Sequence, residues 1–66
     1  MPRLVSKDNT KRALVLGDQS VWELGLYDWI GTVMWLSGDE IEIGALQDEL
    51  TNLSKKRESF RARRIS

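Results

Sequence analysis

Two stretches in which apolar residues occupy alternate positions flank a Ser-Gly-Asp sequence in the middle of the chain. Val33 and Trp35 alternate in this way before it, and Ile41 and Ile43 do so after it. Alternation with period two places one set of side chains on the buried face of a strand and the other set toward solvent. Glycine permits positive φ, and serine and aspartate can bond the nearby backbone, so the sequence between the stretches suits a tight turn. The pattern predicts a β-hairpin over residues 30–43.

Two shorter segments with an apolar pattern precede this hairpin. Residues 12–16 form a short apolar run that ends in a Gly-Asp turn at 17–18, and every second side chain is apolar in residues 20–26. Turn signals at intervals of roughly ten residues are typical of antiparallel strands that follow one another. The chain is therefore predicted to form an antiparallel β-meander over residues 12–44, after an N-terminal arm over residues 1–11.

A helical interpretation of the middle segment, residues 20–36, competes with the meander. The sequence Ser37-x-x-Glu40 is also a capping-box pattern, which would begin a helix where the turn of the hairpin is predicted. Within residues 20–36 themselves, apolar residues recur at helical spacing. They are Trp22, Leu26, Trp29, Ile30, Val33 and Leu36. Such a helix would have almost no polar face, and it would contain Gly25 and Gly31 at a cost of about 1 kcal/mol each relative to alanine. Strands explain these residues at a lower cost, and an all-α helical hairpin is the alternative.

The apolar period changes in the last third of the chain. Leu46, Leu50 and Leu53 follow one another at positions i, i+4 and i+7, which is the spacing of one helical face. Acidic residues precede basic ones along this segment, an order that complements the helix dipole. The sequence therefore predicts a C-terminal α-helix with a basic end over residues 45–66. The predicted fold class is α+β, a small antiparallel meander followed by a helix.

Three short motifs mark the turns and strands of the meander. They are Gly17-Asp18-x-x-Val21, Trp29-x-Gly31-x-Val33 and Gly38-Asp39-x-Ile41-x-Ile43. This pattern, over residues 13–44, resembles that of small SH3-like barrels, a group that includes the Tudor, chromo-like and KOW modules. These barrels have a fifth strand where a helix is predicted here, so the resemblance implies a barrel that is open or completed by another chain. It also implies a binding fold whose aromatic residues line a groove for a peptide or a nucleic acid.

The length and composition limit what can stabilise the chain. A chain of 66 residues forms one domain with a small core, and it has no cysteine and no histidine, which excludes disulfide bonds and ordinary zinc sites. We expect it to be stabilised by self-association or by a protein partner. The first twelve residues have no apolar segment of the signal-peptide type, and no apolar run is long enough to span a bilayer. A soluble cytoplasmic protein is expected.

The formal net charge is zero, but the charges are segregated along the chain. Residues 1–16 carry four basic residues and one acid, residues 17–50 carry eight acids and no base, and residues 51–66 carry six basic residues and one acid. Such asymmetry says more about possible partners than the total charge does.

Aromatic residues of the meander provide a candidate protein-binding site. Tyr27 and Trp29 lie near a predicted turn, and Asp28 stands between them, which suits a groove or cage for a peptide or a cationic side chain. The alternative is that the aromatic residues form the core and a self-association surface. Trp22 and Trp35 are predicted to be core residues.

The basic C-terminal segment provides a candidate nucleic-acid-binding site, in which cations contact phosphates and one aromatic ring stacks on a base. Its residues are Lys55, Lys56, Arg57, Phe60, Arg61, Arg63 and Arg64. The alternative is a solvated helix end, or one that forms salt bridges with the acidic middle of another copy.

The sequence suggests a protein that binds rather than catalyses. Without histidine or cysteine, acid–base chemistry would depend on carboxylates, and no phosphate-binding glycine loop or metal-ligand cluster is apparent. We expect no cofactor, no metal, no small-molecule substrate and no membrane partner. The leading hypothesis is a small adaptor: its acidic barrel contacts a protein partner or another copy, and its basic helix contacts an anionic surface such as nucleic acid. The alternatives are a dimeric ribbon-helix-helix DNA-binding regulator, and a structural or inhibitory subunit of a larger assembly, for example a viral one.

Overall fold

The computed structural model describes residues 2–66 of the chain. In this part of the chain seven β-strands and one short α-helix follow one another. Their bounds are β1 Leu4–Asp8, β2 Ala13–Leu16, β3 Val21–Glu23, α1 Leu26–Gly31, β4 Ile41–Ile43, β5 Glu49–Asn52, β6 Glu58–Arg61 and β7 Arg63–Arg64. Within these described residues, no helix has the length and hydropathy that crossing a membrane requires.

The strands pair antiparallel in two sheets, one with the order β1-β2-β3-β7 and the other with the order β4-β5-β6. Backbone hydrogen bonds also join the sheets near β1, where the N–H of Leu4 donates to the carbonyl oxygen of Asp39 at 2.8 Å. The sheets are also joined through the chain itself, because β6 of the second sheet continues through Ala62 into β7 of the first. The N–H of Ala62 donates to the carbonyl oxygen of Asp48 at 3.0 Å. The two sheets therefore share one core.

Strand periodicity explains which side chains fill this core. In β2, Leu14 and Leu16 are buried and Val15 between them is half-buried, while β3 buries only Trp22. The buried cluster consists of Leu4, Leu14, Leu16, Trp22, Leu24, Trp35, Ile41, Leu50 and Ala62. Both sheets contribute to it, and Trp35 enters it from the segment that connects α1 to β4.

The predicted α+β class is wrong, because the described residues form two antiparallel sheets and one helix of only six residues. In particular, the predicted C-terminal helix over residues 45–66 is wrong, because this segment forms β5, β6 and β7. Leu46 and Leu50 have the spacing of one helical face, but Leu46 is 85 % exposed in the turn before β5 and Leu50 is fully buried. Leu50 pairs directly with Phe60 across a turn at 53–57 that contains two residues with positive φ. As the central strand of its sheet, β5 satisfies its backbone groups on both sides.

The predicted β-hairpin over residues 30–43 is wrong in its first half. Residues 30 and 31 end α1, turns follow as far as residue 34, and only Ile41–Ile43 is a strand. Val33 and Trp35 do not share a face, because Val33 is 70 % exposed and Trp35 is 1 % exposed. The all-α alternative is also wrong, since the one helix of the described residues has six residues. For the same reason the ribbon-helix-helix alternative lacks its two helices.

Other predicted features agree with the structure. The apolar run at 12–16 contains β2, and Gly38 has a φ of 96° in a turn, as the Ser-Gly-Asp sequence indicates. By contrast, the segment predicted as an N-terminal arm, residues 1–11, contains β1, which pairs with β2 and buries Leu4. The described part of that segment therefore belongs to the first sheet.

The end of α1 packs closely on β6. Phe60 lies beside Trp35 with 5.7 Å between the ring centroids, and its ring approaches the backbone at Gly31. A Cβ atom at Gly31 would overlap the Phe60 ring, far inside van der Waals contact. Glycine is therefore required here for the close approach of the helix to the sheet.

A buried carboxylate joins the turn after α1 to β5. Burial by itself would raise the pKa of Asp39, but hydrogen bonds from the Leu36 N–H, the Asn52 amide and the Lys55 ammonium together lower it. The three donors lie at 3.0, 2.9 and 3.0 Å from one carboxylate oxygen, Oδ2. The ionised form of Asp39 is thus the one that the fold stabilises.

We expect Gly31→Ala to lower the free energy of unfolding by about 1–3 kcal/mol, because the new methyl group displaces the Phe60 ring from Trp35. Chemical denaturation measures this. Gly25→Ala is the matched control, since its Cβ would meet only a carboxylate oxygen of Asp28 at 3.8 Å. The loss in the free energy of unfolding caused by Gly31→Ala should be smaller when Phe60→Leu is also present. A Gly31→Ala variant as stable as the parent would contradict the proposed packing.

We expect the free energy of unfolding to fall as the pH drops below about 4, where Asp39 of the unfolded chain becomes protonated. The pKa of Asp39 is lowered in the folded state, so this carboxylate stabilises the fold only while it is ionised. Asp39→Asn should cost about 1–3 kcal/mol at neutral pH and make the acid-induced loss shallower. Denaturation curves at several pH values test this, with Asp48→Asn at an exposed carboxylate as the control. Equal acid sensitivity of Asp39→Asn and the parent would disprove this role.

Candidate functional site

The backbone from α1 onward turns once about every three residues. The N–H of Thr32 donates to the carbonyl oxygen of Trp29 at 3.0 Å, and the N–H of Trp35 donates to that of Thr32 at 2.9 Å. This spacing directs Trp29, Thr32 and Trp35 toward the core, where Thr32 and Trp35 are buried and Trp29 is half-buried. The side chains between them consequently point outward.

These outward side chains are also apolar, and they form the largest run of exposed hydrophobic residues in the described part of the chain. We call this surface the α1 face; it consists of Leu26, Tyr27, Ile30, Val33, Met34 and Leu36. Their exposed fractions lie between 53 % for Leu26 and 88 % for Tyr27. Large apolar side chains exposed together on one segment commonly mark an interaction site.

Lys7 of β1 holds the backbone beneath the α1 face. Its Nζ donates to the carbonyl oxygen of Thr32 at 2.7 Å and to that of Trp35 at 3.3 Å, and it lies 5.6 Å from the centroid of the Trp29 ring. Burial lowers the pKa of this ammonium. The contacts satisfy carbonyl groups at and beyond the end of α1 and place a cation over an aromatic ring.

A groove runs beside the α1 face, between α1 and β1. It has a volume of about 260 Å³ and is lined by Lys7, Asn9, Trp29, Ile30 and Val33. Trp29 is half-buried there, while Ile30 and Val33 belong to the α1 face. The groove therefore combines an apolar lining with two polar side chains, Lys7 of β1 and Asn9 of the turn that follows it.

The structure separates the three residues predicted to bind protein. Tyr27 belongs to the α1 face and is the most exposed aromatic residue, whereas Trp29 is half-buried against the core. Side chains two positions apart on a helix point in different directions, so Tyr27 and Trp29 do not form one cage. Asp28 is half-buried and lines a different cleft.

The aliphatic members of the α1 face were not among the predicted site residues. Leu26, Ile30, Val33 and Leu36 belong to the stripe at helical spacing, which was the signal that could have identified them. The strand interpretation of residues 20–36 set this spacing aside. In the structure Leu26 and Ile30 lie on the outer side of α1, and Val33 and Leu36 lie exposed on the segment that follows it.

Three of the residues predicted to bind nucleic acid are engaged within the chain itself. Lys55 is bound to Asp39 at 3.0 Å, and Arg63 is bound to Glu23 at 3.0 Å. Phe60 packs against Trp35 and is not a free stacking ring. Two acids of the middle segment thus neutralise two cations of the basic segment within the same chain.

The remaining cations of that segment fall at two places. Lys56 and Arg57 lie in the turn between β5 and β6, while Arg61 and Arg64 lie on β6 and β7. A cleft of about 510 Å³ near Arg61 contains charges of both signs. Its charged residues are Lys11, Arg12, Glu23, Asp28, Asp48, Arg61 and Arg63. This mixture does not provide the uniformly positive groove that a polyanion requires.

The acids with a lowered pKa hold turns in place. The Ser20 hydroxyl and backbone N–H both donate to Asp18 and lower its pKa, and the Ser20 hydroxyl accepts a bond from the Trp22 indole at 2.8 Å. Residues 2–66 contain no group of three or more His, Cys, Asp or Glu residues that could hold a metal ion. Every buried side-chain polar atom of these residues has a hydrogen-bond partner.

We expect Lys7→Met to loosen the α1 face, because the carbonyl oxygen of Trp35 loses the donor that Lys7 provides and that of Thr32 keeps only the N–H of Trp35; the free energy of unfolding should fall by about 1–2 kcal/mol. In this variant, hydrogen exchange of the amides at 32–36 should be faster than in the parent, whereas exchange of the amides in β2 should change less. Lys11→Met, at an exposed lysine in the turn after β1, is the control. If both variants exchange like the parent, Lys7 does not secure this segment.

No family model, no curated protein and no solved structure matches this chain. The resemblance to SH3-like barrels accordingly stays a prediction. The function has to be argued from the surface of the molecule itself, of which the α1 face is the most distinctive part.

Proposed function

We propose that this protein is a small interaction module that binds another protein molecule through the α1 face. The observation that supports this proposal is the exposure of six large apolar side chains on one continuous segment. Leaving such side chains in water is unfavourable by about 25 cal/mol for each Å² of apolar surface, and covering them drives association. Tyrosine and methionine, both present here, are enriched at protein interfaces.

The way in which this segment is attached to the core supports the same function. The side chains on its inner side are buried or half-buried, and Lys7 binds two of its carbonyl groups. A surface held in this way loses little conformational entropy when a partner binds, so more of the contact free energy contributes to affinity. Tyr27 can act as the anchor, because a large amphipathic ring that becomes fully covered often carries much of the binding energy.

Electrostatics favour a protein partner over a nucleic acid. The ion pairs of Lys55 and Arg63 occupy cations that phosphates would need, and the charged cleft mixes both signs. We also place the activity in binding rather than in catalysis, since Asp18 and Asp39 are both engaged in hydrogen bonds that hold turns. A base that is already hydrogen-bonded in its charged form is a poor proton acceptor at neutral pH.

A photo-reactive amino acid in place of Tyr27 tests the proposal. The full chain carrying it is irradiated in an extract of the organism that encodes it, and the cross-linked peptides are identified by mass spectrometry. We expect discrete adducts to a protein, either another copy or a different chain, which disappear when Ile30→Glu is added. The same group in place of Leu46, an apolar residue outside the α1 face with a similar exposure of 85 %, is the matched control.

Two results would overturn this function. One is the absence of protein adducts at position 27. The other is an equal yield of adducts from position 46, which would mean that the α1 face is no more than ordinary exposed surface.

A further inference from the structure

We infer that the partner covering the α1 face is a second copy of this chain, related by a two-fold axis, an inference that rests on the proposed function. In such a pairing the same surface is used twice, and each copy both contributes and receives the contact side chains. The α1 face, together with the groove that adjoins it, has the properties that this arrangement needs.

The first property is area. With exposed fractions of 53–88 %, its six side chains present on the order of 800 Å² in one copy, which is the area that each partner contributes to a standard interface. This is roughly a fifth of the total surface of 4402 Å². A copy of the same chain can cover all of it with an equal area of its own, so no additional surface has to be assumed.

The second property is a fit between a projecting residue and a groove. Tyr27 is 88 % exposed, and the groove beside α1 has a volume of about 260 Å³. A cavity of about 150 Å³ already accepts a benzene ring, so this groove is large enough for the phenol ring of the partner's Tyr27. Its apolar lining by Trp29 and Ile30 suits the ring, and Asn9 supplies a hydrogen-bonding group for the hydroxyl.

The third property is charge. The six residues of the α1 face carry no charge themselves; Lys7 lines the groove on one side of α1, and the cleft on the other side, which Asp28 lines, holds three acids and four cations. Two identical uncharged faces do not repel one another. A membrane surface is a poorer occupant, because helices that lie on membranes are longer and carry several cations on their polar side; α1 has six residues and none of them is basic.

The small core provides an independent reason for association. A chain of 66 residues without cysteine buries a limited apolar area, and pairing adds to it without lengthening the chain. If the pair is the form that is most stable, the midpoint of thermal unfolding should rise with protein concentration.

Sedimentation velocity on the full chain, from about 1 µM to about 500 µM, tests the inference, since this range covers dissociation constants of moderate dimers. We expect the parent to change from monomer to dimer within the range. Ile30→Glu and Tyr27→Ala should each raise the dissociation constant at least tenfold, and Tyr27→Phe should raise it less than Tyr27→Ala. Leu46→Glu, outside the α1 face, should leave it within twofold. Circular dichroism verifies that each variant is folded; Val33→Glu replaces Ile30→Glu if the latter unfolds.

A chain that stays monomeric throughout the range overturns the second-copy inference. So does a dimer that Leu46→Glu weakens as much as Ile30→Glu does, because the interface would then lie elsewhere. The proposed function fails separately: a monomeric chain that still cross-links a different protein at position 27 retains that function, and a monomeric chain without adducts loses both.

Discussion

The indole rings of Trp22 and Trp35 occupy the centre of the molecule, and the two sheets depend on their burial. Both rings are almost completely removed from solvent, and each polar N–H has a partner: the Ser20 hydroxyl at 2.8 Å and the Glu58 carboxylate at 3.0 Å. A large aromatic ring buries more apolar area than any aliphatic side chain, which matters in a chain that has no disulfide bond. The satisfied N–H groups allow this burial without an uncompensated polar atom.

The burial of Trp35 also determines the surface. Trp35 comes from the segment after α1, and the same three-residue spacing that directs it and Thr32 inward directs Val33 and Met34 outward. The α1 face is thus fixed to the core by its own inner side chains. A partner that covers it would meet a surface whose shape exists before binding, which favours affinity over adaptability.

The fold also changes the meaning of the charge pattern. Along the chain the acids are concentrated in residues 17–50, and the bases lie on either side, which suggests separate acidic and basic contact surfaces. In three dimensions Asp39 meets Lys55 and Glu23 meets Arg63. For these two pairs the segregation in sequence therefore becomes local neutralisation in space, which is why the proposed interaction is based on apolar contact rather than on charge.

The local sequence pattern was sufficient to predict several features of the structure. They are the strand β2, the turn at Gly38, and the burial of Trp22 and Trp35. These depend on side-chain polarity and on backbone freedom within a few neighbouring residues. Tyr27 is exposed as predicted, but the turn predicted beside it is part of α1, and Trp29, selected by the same argument, is half-buried.

The C-terminal third depended instead on residues far away in the chain. Leu46 and Leu50 fit a helix as well as a strand, and the choice was made by pairing, since β5 lies between β4 and β6 and β7 pairs with β3. Arg63 meets Glu23 only because β7 returns to the first sheet across some forty residues. Local periodicity carries no information about such partners, because the free energy of a strand comes from the neighbours that satisfy its backbone and cover its side chains.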